Sequence, residues 1–244
     1  MTMVRSITRQ QRARCRACSV AGIAGVGCGR PGSGMLGSVS PAPHWFVAVG
    51  ASGSRGFQDI DRLLGDLPPL PDATVLLVLH RRTDQVSVLA QVLSRTASMP
   101  VVVATDGQRF ERGVCYVGEP GEHLALAARS IGKLVADEFR DQHRNRTVDL
   151  LFASLAEHAK RRAIGVILSG ALDDGSSGLA AIHHSGGLTM VLTPAEQAEV
   201  GGMPSNAIRY DGPIDFQGSI VQIAGEIARV VSPTMDRPSV PGHG

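Results

Sequence analysis

A chain of 244 residues with 43% hydrophobic residues has apolar content for one domain of about 180 to 200 residues with a sizeable core, or at most two small ones. That composition excludes disorder along the whole length, and no apolar run approaches the ~20 residues that membrane insertion needs. The formal charge of +2 argues against a general nucleic-acid binder, and it hides an asymmetry: residues 1–44 carry six Arg and no Asp or Glu, while the remaining 200 are net −4. The body is a mildly acidic globule, and the positive charge sits in a tail.

Residues 1–43 are rich in Gly, Ser, Arg and Pro without helical or strand period, and are expected to be disordered. Cys15, Cys18 and Cys28 suggest a metal site, but a structural zinc needs four ligands. The remaining cysteine, Cys115, stands far away inside a predicted hairpin, so no metal is expected. Gly27 to Gly32 reads GxGxxG, yet it follows no strand and contains Pro31. The weakly apolar Ser19 to Ala24 makes a poor signal core, so the segment reads as an unstructured extension ahead of Met35, and a cytoplasmic location is the default.

The folded body is predicted over 44–232. His44 to Gly50 is an apolar run of strand length, followed by a helical pattern at Phe57, Ile60, Leu63 and Leu64. Ala73 to Leu79 gives a second strand, 86–97 a helix and Met99 to Ala104 a third strand. Gly113 to Gly118 and His123 to Leu126 flank Pro120-Gly121 and read as an antiparallel hairpin. A helix over 147–160, a strand Ala163 to Leu168, a helix from Ser176 to His184 and a strand Leu188 to Leu192 follow. A loop with Gly201 to Pro204, a short helix, an amphipathic helix near 218–231 and a disordered tail over 233–244 complete the chain. Unbroken apolar strands alternating with helices predict a doubly wound, mostly parallel three-layer α/β/α fold with an inserted antiparallel hairpin.

Ligands in such sheets bind beyond the carboxyl ends of the strands. Ser52 follows the first strand in Gly50-Ala51-Ser52-Gly53, His80 ends the second, and the strand at 163–168 runs into Ser169 to Gly175 with Asp173 and Asp174. A Ser, a His and an Asp converging there are the parts of an activated serine nucleophile. Each also has a plainer reading: a turn or N-cap serine, an incidental histidine, a capping aspartate. Gly50, Gly53 and Gly56 imitate a dinucleotide loop, but His80 stands where an acid should hold the ribose. No Lys supports a phosphate loop, and GxSxG fails because residue 54 is Ser. No cofactor is expected.

A series of short stretches runs in order along the body: Val47 to Ser52, Val78-Leu79-His80, Asp106-Gly107, Cys115-Tyr116-Val117 and Gly121 to Leu124. Val148 to Phe152, Gly165 to Gly170 with Asp174-Gly175, and Gly202-Met203-Pro204 continue the series. In these stretches and their order the chain resembles the catalytic domain of the CheB-type chemotaxis protein-glutamate methylesterases. The resemblance implies Ser52 as nucleophile, His80 as general base and Asp174, immediately before Gly, as its orienting acid, with backbone amides at Gly53 and Ala171 as oxyanion donors. It implies removal of methyl esters from glutamate side chains of a chemoreceptor-like protein and deamidation of glutamine. The family usually has Thr and two glycines after the serine, Met-Pro after the histidine and Gly-Met-Gly before the acid. Here Gly53-Ser54-Arg55, Arg81-Arg82 and Gly170-Ala171-Leu172 stand instead. These changes motivate an alternative, a catalytically degenerate protein-interaction module of the same fold. Residues 1–43 are too short and polar for the receiver domain that usually precedes this catalytic domain, so constitutive activity or a separate regulator is expected.

Overall fold

Why the first strand passes through the middle of the molecule is visible in its residues. β1 (Trp45–Ser52) is buried over Phe46 to Ala51, and only a central parallel strand, covered on both faces, accepts so unbroken an apolar run. A computed structural model describes residues 43–81, 88–136, 146–171, 173–194, 202–210 and 212–232. The expectations for 1–42, including the metal, signal and GxGxxG motifs there, and for the tail at 233–244 lie outside the described residues.

After β1 come α1 (Gly53–Asp66), β2 (Ala73–His80), α2 (Leu89–Leu93), β3 (Val101–Val103) and β4 (Cys115–Val117). Next are β5 (Glu122–Ala127), β6 (Ile131–Ala136), α3 (Thr147–His158), β7 (Ala163–Ile167) and α4 (Ser176–His184). β8 (Leu188–Leu192), α5 (Met203–Arg209), β9 (Phe216–Gly218) and α6 (Ile220–Val231) close the fold. Among the described residues seven parallel strands lie in the order β3-β4-β2-β1-β7-β8-β9, and β5 pairs antiparallel with β6 in a separate sheet. The expected three-layer, mostly parallel fold with an inserted hairpin is therefore what the chain adopts.

The hairpin's membership differs from the sequence reading. β4 does not pair with β5; it lies parallel between β3 and β2. Cys115, Tyr116 and Val117 are all buried, as a covered parallel strand requires, whereas β5 alternates from Leu124 to Ala127 and takes β6 as its partner. The expected helix over 86–97 is shorter in the structure: α2 begins after Val88 and ends at Leu93, with a turn over 94–96, and 82–87 lie outside the described residues. The Thr96 hydroxyl donates to the Leu93 carbonyl and marks the end of that helix.

Side chains alternate across the sheet. Val47, Val49 and Ala51 of β1, with Val75, Leu77 and Leu79 of β2, join Ile60, Leu63, Leu64, Ile223 and Ile227 in the core beneath α1 and α6. Phe46 and Ala48, with Leu76 and Val78, join Val148, Leu151, Phe152, Leu179 and Ile182 in the core beneath α3 and α4. The same alternation carries positions 50, 52 and 80 to the α3 and α4 side.

Candidate active site

Strand register settles the relation of the first two candidate residues. β1 and β2 run parallel with Ser52 opposite His80, each the last residue of its strand. Neighbouring strands lie about 4.8 Å apart, so side chains from paired positions on one face reach each other by rotamer changes alone. Ser52 is half-buried and occupies the N-cap position of α1 in an extended conformation, yet its side chain makes no capping hydrogen bond. Gly53 turns the chain at φ +70° and begins α1, a conformation that a residue with a Cβ rarely adopts. Ser52 N–H donates to the Ser169 carbonyl at 3.0 Å, and Ser169 N–H to Asp59 Oδ2 on α1 at 3.3 Å. The loop after β7 is thereby laced to the serine turn.

Close approach fixes the surroundings. A methyl group on Gly170 would collide with Met203 Sδ and lie 2.8 Å from Ser52 Cβ. Met203 N–H donates to the Gly170 carbonyl at 2.8 Å, which anchors α5 beside the serine. On the other side, Val148 at the start of α3 fills the place that a side chain on Gly50 would take.

Asp174 is buried, at 4% exposure. Its Oδ2 accepts the Val148 N–H at 3.0 Å and its Oδ1 the Asp149 N–H at 2.9 Å, so the carboxylate caps α3. Burial is the largest influence on its acidity and raises its pKa from 3.8 to about 6, against the lowering effect of the two backbone N–H groups. Asp149 raises it further and Arg146 lowers it. Asp173 is exposed beside it. Among the described residues no hydrogen bond joins Ser52 to His80 or His80 to Asp174. Ala171 is exposed in the loop after β7, and Leu172 lies outside the described residues.

Around the histidine, Arg81 Nη2 lies 3.2 Å from Glu119 Oε1, tying the end of β2 to the turn before β5. Cys115 is buried and burial pushes its thiol up to about 12, which leaves it unreactive near neutral pH. Among the described residues no group of three His, Cys, Asp or Glu side chains is placed to hold a metal ion, and no helix is long and apolar enough to cross a membrane. Sequence reasoning missed two contributors. Met203 backs the serine turn, and Asp149 on α3 accepts the Gly178 N–H at 2.7 Å. Both lie inside family-like stretches, the signal that could have drawn attention to them.

Comparison with known proteins agrees with this architecture. Residues 47–227 match the CheB methylesterase family. The protein-glutamate methylesterase/protein-glutamine glutaminase of Pectobacterium atrosepticum is 34% identical over 169 residues, covering 68% of this chain and 47% of that protein. A Bordetella avium counterpart is 34% identical over 189 residues, covering 77% and 54%. The chain thus spans about half the length of these curated relatives. The crystal structure of the Thermotoga maritima CheB methylesterase catalytic domain superposes with a TM-score of 0.68 at 26% identity, covering 78% of this chain and 100% of that one. On both sequence and fold, the chain belongs to the CheB methylesterase family.

Proposed function

We propose that this chain is a cytoplasmic serine hydrolase that removes methyl esters from glutamate side chains of a receptor-like protein and deamidates glutamine there. The observation that carries the reading is the register pairing of Ser52 with His80 at adjacent strand ends, with the Ser52 hydroxyl left out of the helix cap it occupies. The relatives' names, methylesterase and glutaminase, supply the substrate class.

In this reading Ser52 Oγ attacks the γ-carbonyl carbon while His80 takes the hydroxyl proton. Backbone N–H groups of Gly53 and Ala171 receive the developing oxyanion. Collapse of the tetrahedral intermediate breaks the bond to the methoxy oxygen, which leaves as methanol with the proton returned by His80. Water then attacks the acyl-enzyme, His80 takes its proton, and the glutamate carboxylate departs with Ser52 restored. For glutamine the leaving group is ammonia. Asp174 holds the imidazole in the tautomer that presents a free ring nitrogen to Ser52, and stabilises the imidazolium. Catalytic hydrogen bonds often tighten only when substrate binds, and this reading requires that of the His80–Asp174 pair.

Labelling the folded protein with a fluorophosphonate, and following methanol release from a methylated receptor fragment, tests this. A single adduct on Ser52, with turnover lost by several orders of magnitude in Ser52→Ala, is expected. Folded protein that takes no label and releases no methanol would favour the degenerate interaction module that the altered flanks Arg81 and Ala171 also fit, whereas methanol release unchanged in Ser52→Ala would reject Ser52 as nucleophile.

A further inference from the structure

One buried carboxylate has no part in the reaction described above. Asp149, 8% exposed on the first turn of α3, accepts the Gly178 N–H from the first turn of α4 through Oδ1 at 2.7 Å. Asp174, in the turn that leads into α4, accepts Val148 and Asp149 N–H groups from α3. Each helix start is therefore capped by a carboxylate belonging to the other. The first turn of an α-helix leaves N–H groups that must find acceptors when buried, and here the two helices satisfy one another. Phe152 and the Asp149 backbone press on Gly178, where a Cβ would lie 2.6 Å from Phe152 Cβ and 2.9 Å from the Asp149 carbonyl oxygen. So close an approach leaves little freedom for α4 to slide along α3.

Resting on the triad reading, we propose that Asp149 is a positioning residue for the catalytic acid: by holding Gly178 N–H it fixes the start of α4, and with it the turn that aims Asp174 at His80. The local charges give this arrangement a measurable signature. Asp149 raises the Asp174 pKa, and Arg146, whose Nη1 lies 3.5 Å from Asp149 Oδ2, lowers it. Asp173 beside it is exposed, and His80 at the end of β2 is the partner that Asp174 serves. The active form needs Asp174 ionised. Removing the Asp149 charge therefore extends activity to lower pH, and removing the Arg146 charge withdraws it to higher pH.

The experiment measures kcat and KM for methanol release against pH in the full chain carrying Asp149→Asn, Asp149→Ala, Arg146→Gln or Ser52→Ala, with urea unfolding to establish that each is folded. Asp149→Ala is expected to lose kcat by roughly 10²-fold, as a small misplacement of a reacting group does, with KM little changed. Asp149→Asn keeps an acceptor oxygen for Gly178 and should recover most of that loss, with its acid limb moved to lower pH. The acid limb of Arg146→Gln should move the opposite way. Equal kcat losses in folded Asp149→Asn and Asp149→Ala, or acid limbs that stay in place, would overturn the proposal. If Asp149→Ala does not fold, the two opposed limb shifts decide alone. Turnover retained by Ser52→Ala would instead bring down the triad reading itself, whereas an inactive Ser52→Ala beside a fully active Asp149→Ala removes only the positioning role.

Discussion

Neutralising Asp174 should make the protein's stability respond differently to pH, and the size of the response follows from its burial. The folded pKa of about 6 stands above the ordinary 3.8 because desolvation outweighs the two N–H groups that the carboxylate accepts. The folded state thus holds this proton more tightly than the unfolded chain does. The stability it contributes is fully present below pH ~4 and is lost as pH rises through about 6. At about 1.36 kcal/mol per pKa unit, the whole loss is about 3 kcal/mol, of which about 2 falls between about pH 4.5 and about pH 8. Asp174→Asn has no proton to lose. It keeps one acceptor oxygen and turns an amide toward the second N–H, a penalty of about 1 to 3 kcal/mol that does not vary with pH. Urea unfolding of both proteins across that range should therefore show the wild type losing about 2 kcal/mol relative to the variant as pH rises. A difference that stays flat within about 0.5 kcal/mol would refute the reasoning, because it would mean that the carboxyl is not desolvated as its burial implies. The same variant should lose turnover by roughly 10⁴-fold through the wrong histidine tautomer.

Asp173→Asn, at an exposed neighbouring position, should leave methanol release within about twofold of wild type, since only one of two adjacent aspartates can face the imidazole. Ser52→Ala should abolish fluorophosphonate labelling yet change urea stability by less than about 0.5 kcal/mol, because the hydroxyl makes no cap bond; a loss of about 1 kcal/mol would mark Ser52 as a working N-cap. Gly170→Ala must displace Met203 Sδ or the Ser52 backbone, so it should cost about 1 to 3 kcal/mol of stability and lower kcat, read by unfolding and by methanol release. Ser219→Ala should cost about 1 kcal/mol in the same unfolding assay without touching turnover, because Ser219 and Gln222 form the capping box of α6 far along the chain from the site.

The legible parts of the fold were those with long, strongly patterned segments. β1, β2, β7 and β8 announce themselves as apolar runs, and α3, α4 and α6 keep close to their expected spans. Short elements carry too few residues for a period to show. β9 is only Phe216-Gln217-Gly218, too short to stand out from the helical pattern that follows it. β6 holds Lys133 and an exposed Val135 in a weak alternation, so the sequence pattern points instead to a hairpin of β4 and β5 across Pro120-Gly121. The unbroken burial of Cys115 to Val117 was the clue that β4 belonged to the covered sheet. At the candidate site, the strand-end positions of Ser52 and His80 were readable from where two apolar runs stop. The capping bonds of Asp174 were not, because they cross to residues 25 and 26 positions earlier and no local pattern encodes so distant a pairing.

Stability and reactivity pull in opposite directions at both ends of the candidate triad. A serine at the head of a helix ordinarily accepts a backbone N–H, worth about 1 kcal/mol, and its oxygen is then occupied. Ser52 forgoes that bond. α1 is held instead by Ile60, Leu63 and Leu64 in the core and by Asp59 against the Ser169 N–H, so the serine oxygen stays free. Asp174 shows the converse. It does cap a helix, and through both oxygens, although burial makes its charge expensive. Each carboxylate oxygen has a second lone pair, so capping α3 does not exhaust its capacity to accept a hydrogen bond. The two backbone bonds offset part of the desolvation cost and fix the carboxylate's orientation before any partner arrives. A nucleophile needs its oxygen unoccupied, and an orienting acid needs its carboxylate held still. With Ser52 as the proposed nucleophile and Asp174 as the proposed orienting acid, the cap that Ser52 declines and the cap that Asp174 makes are two answers to those different requirements.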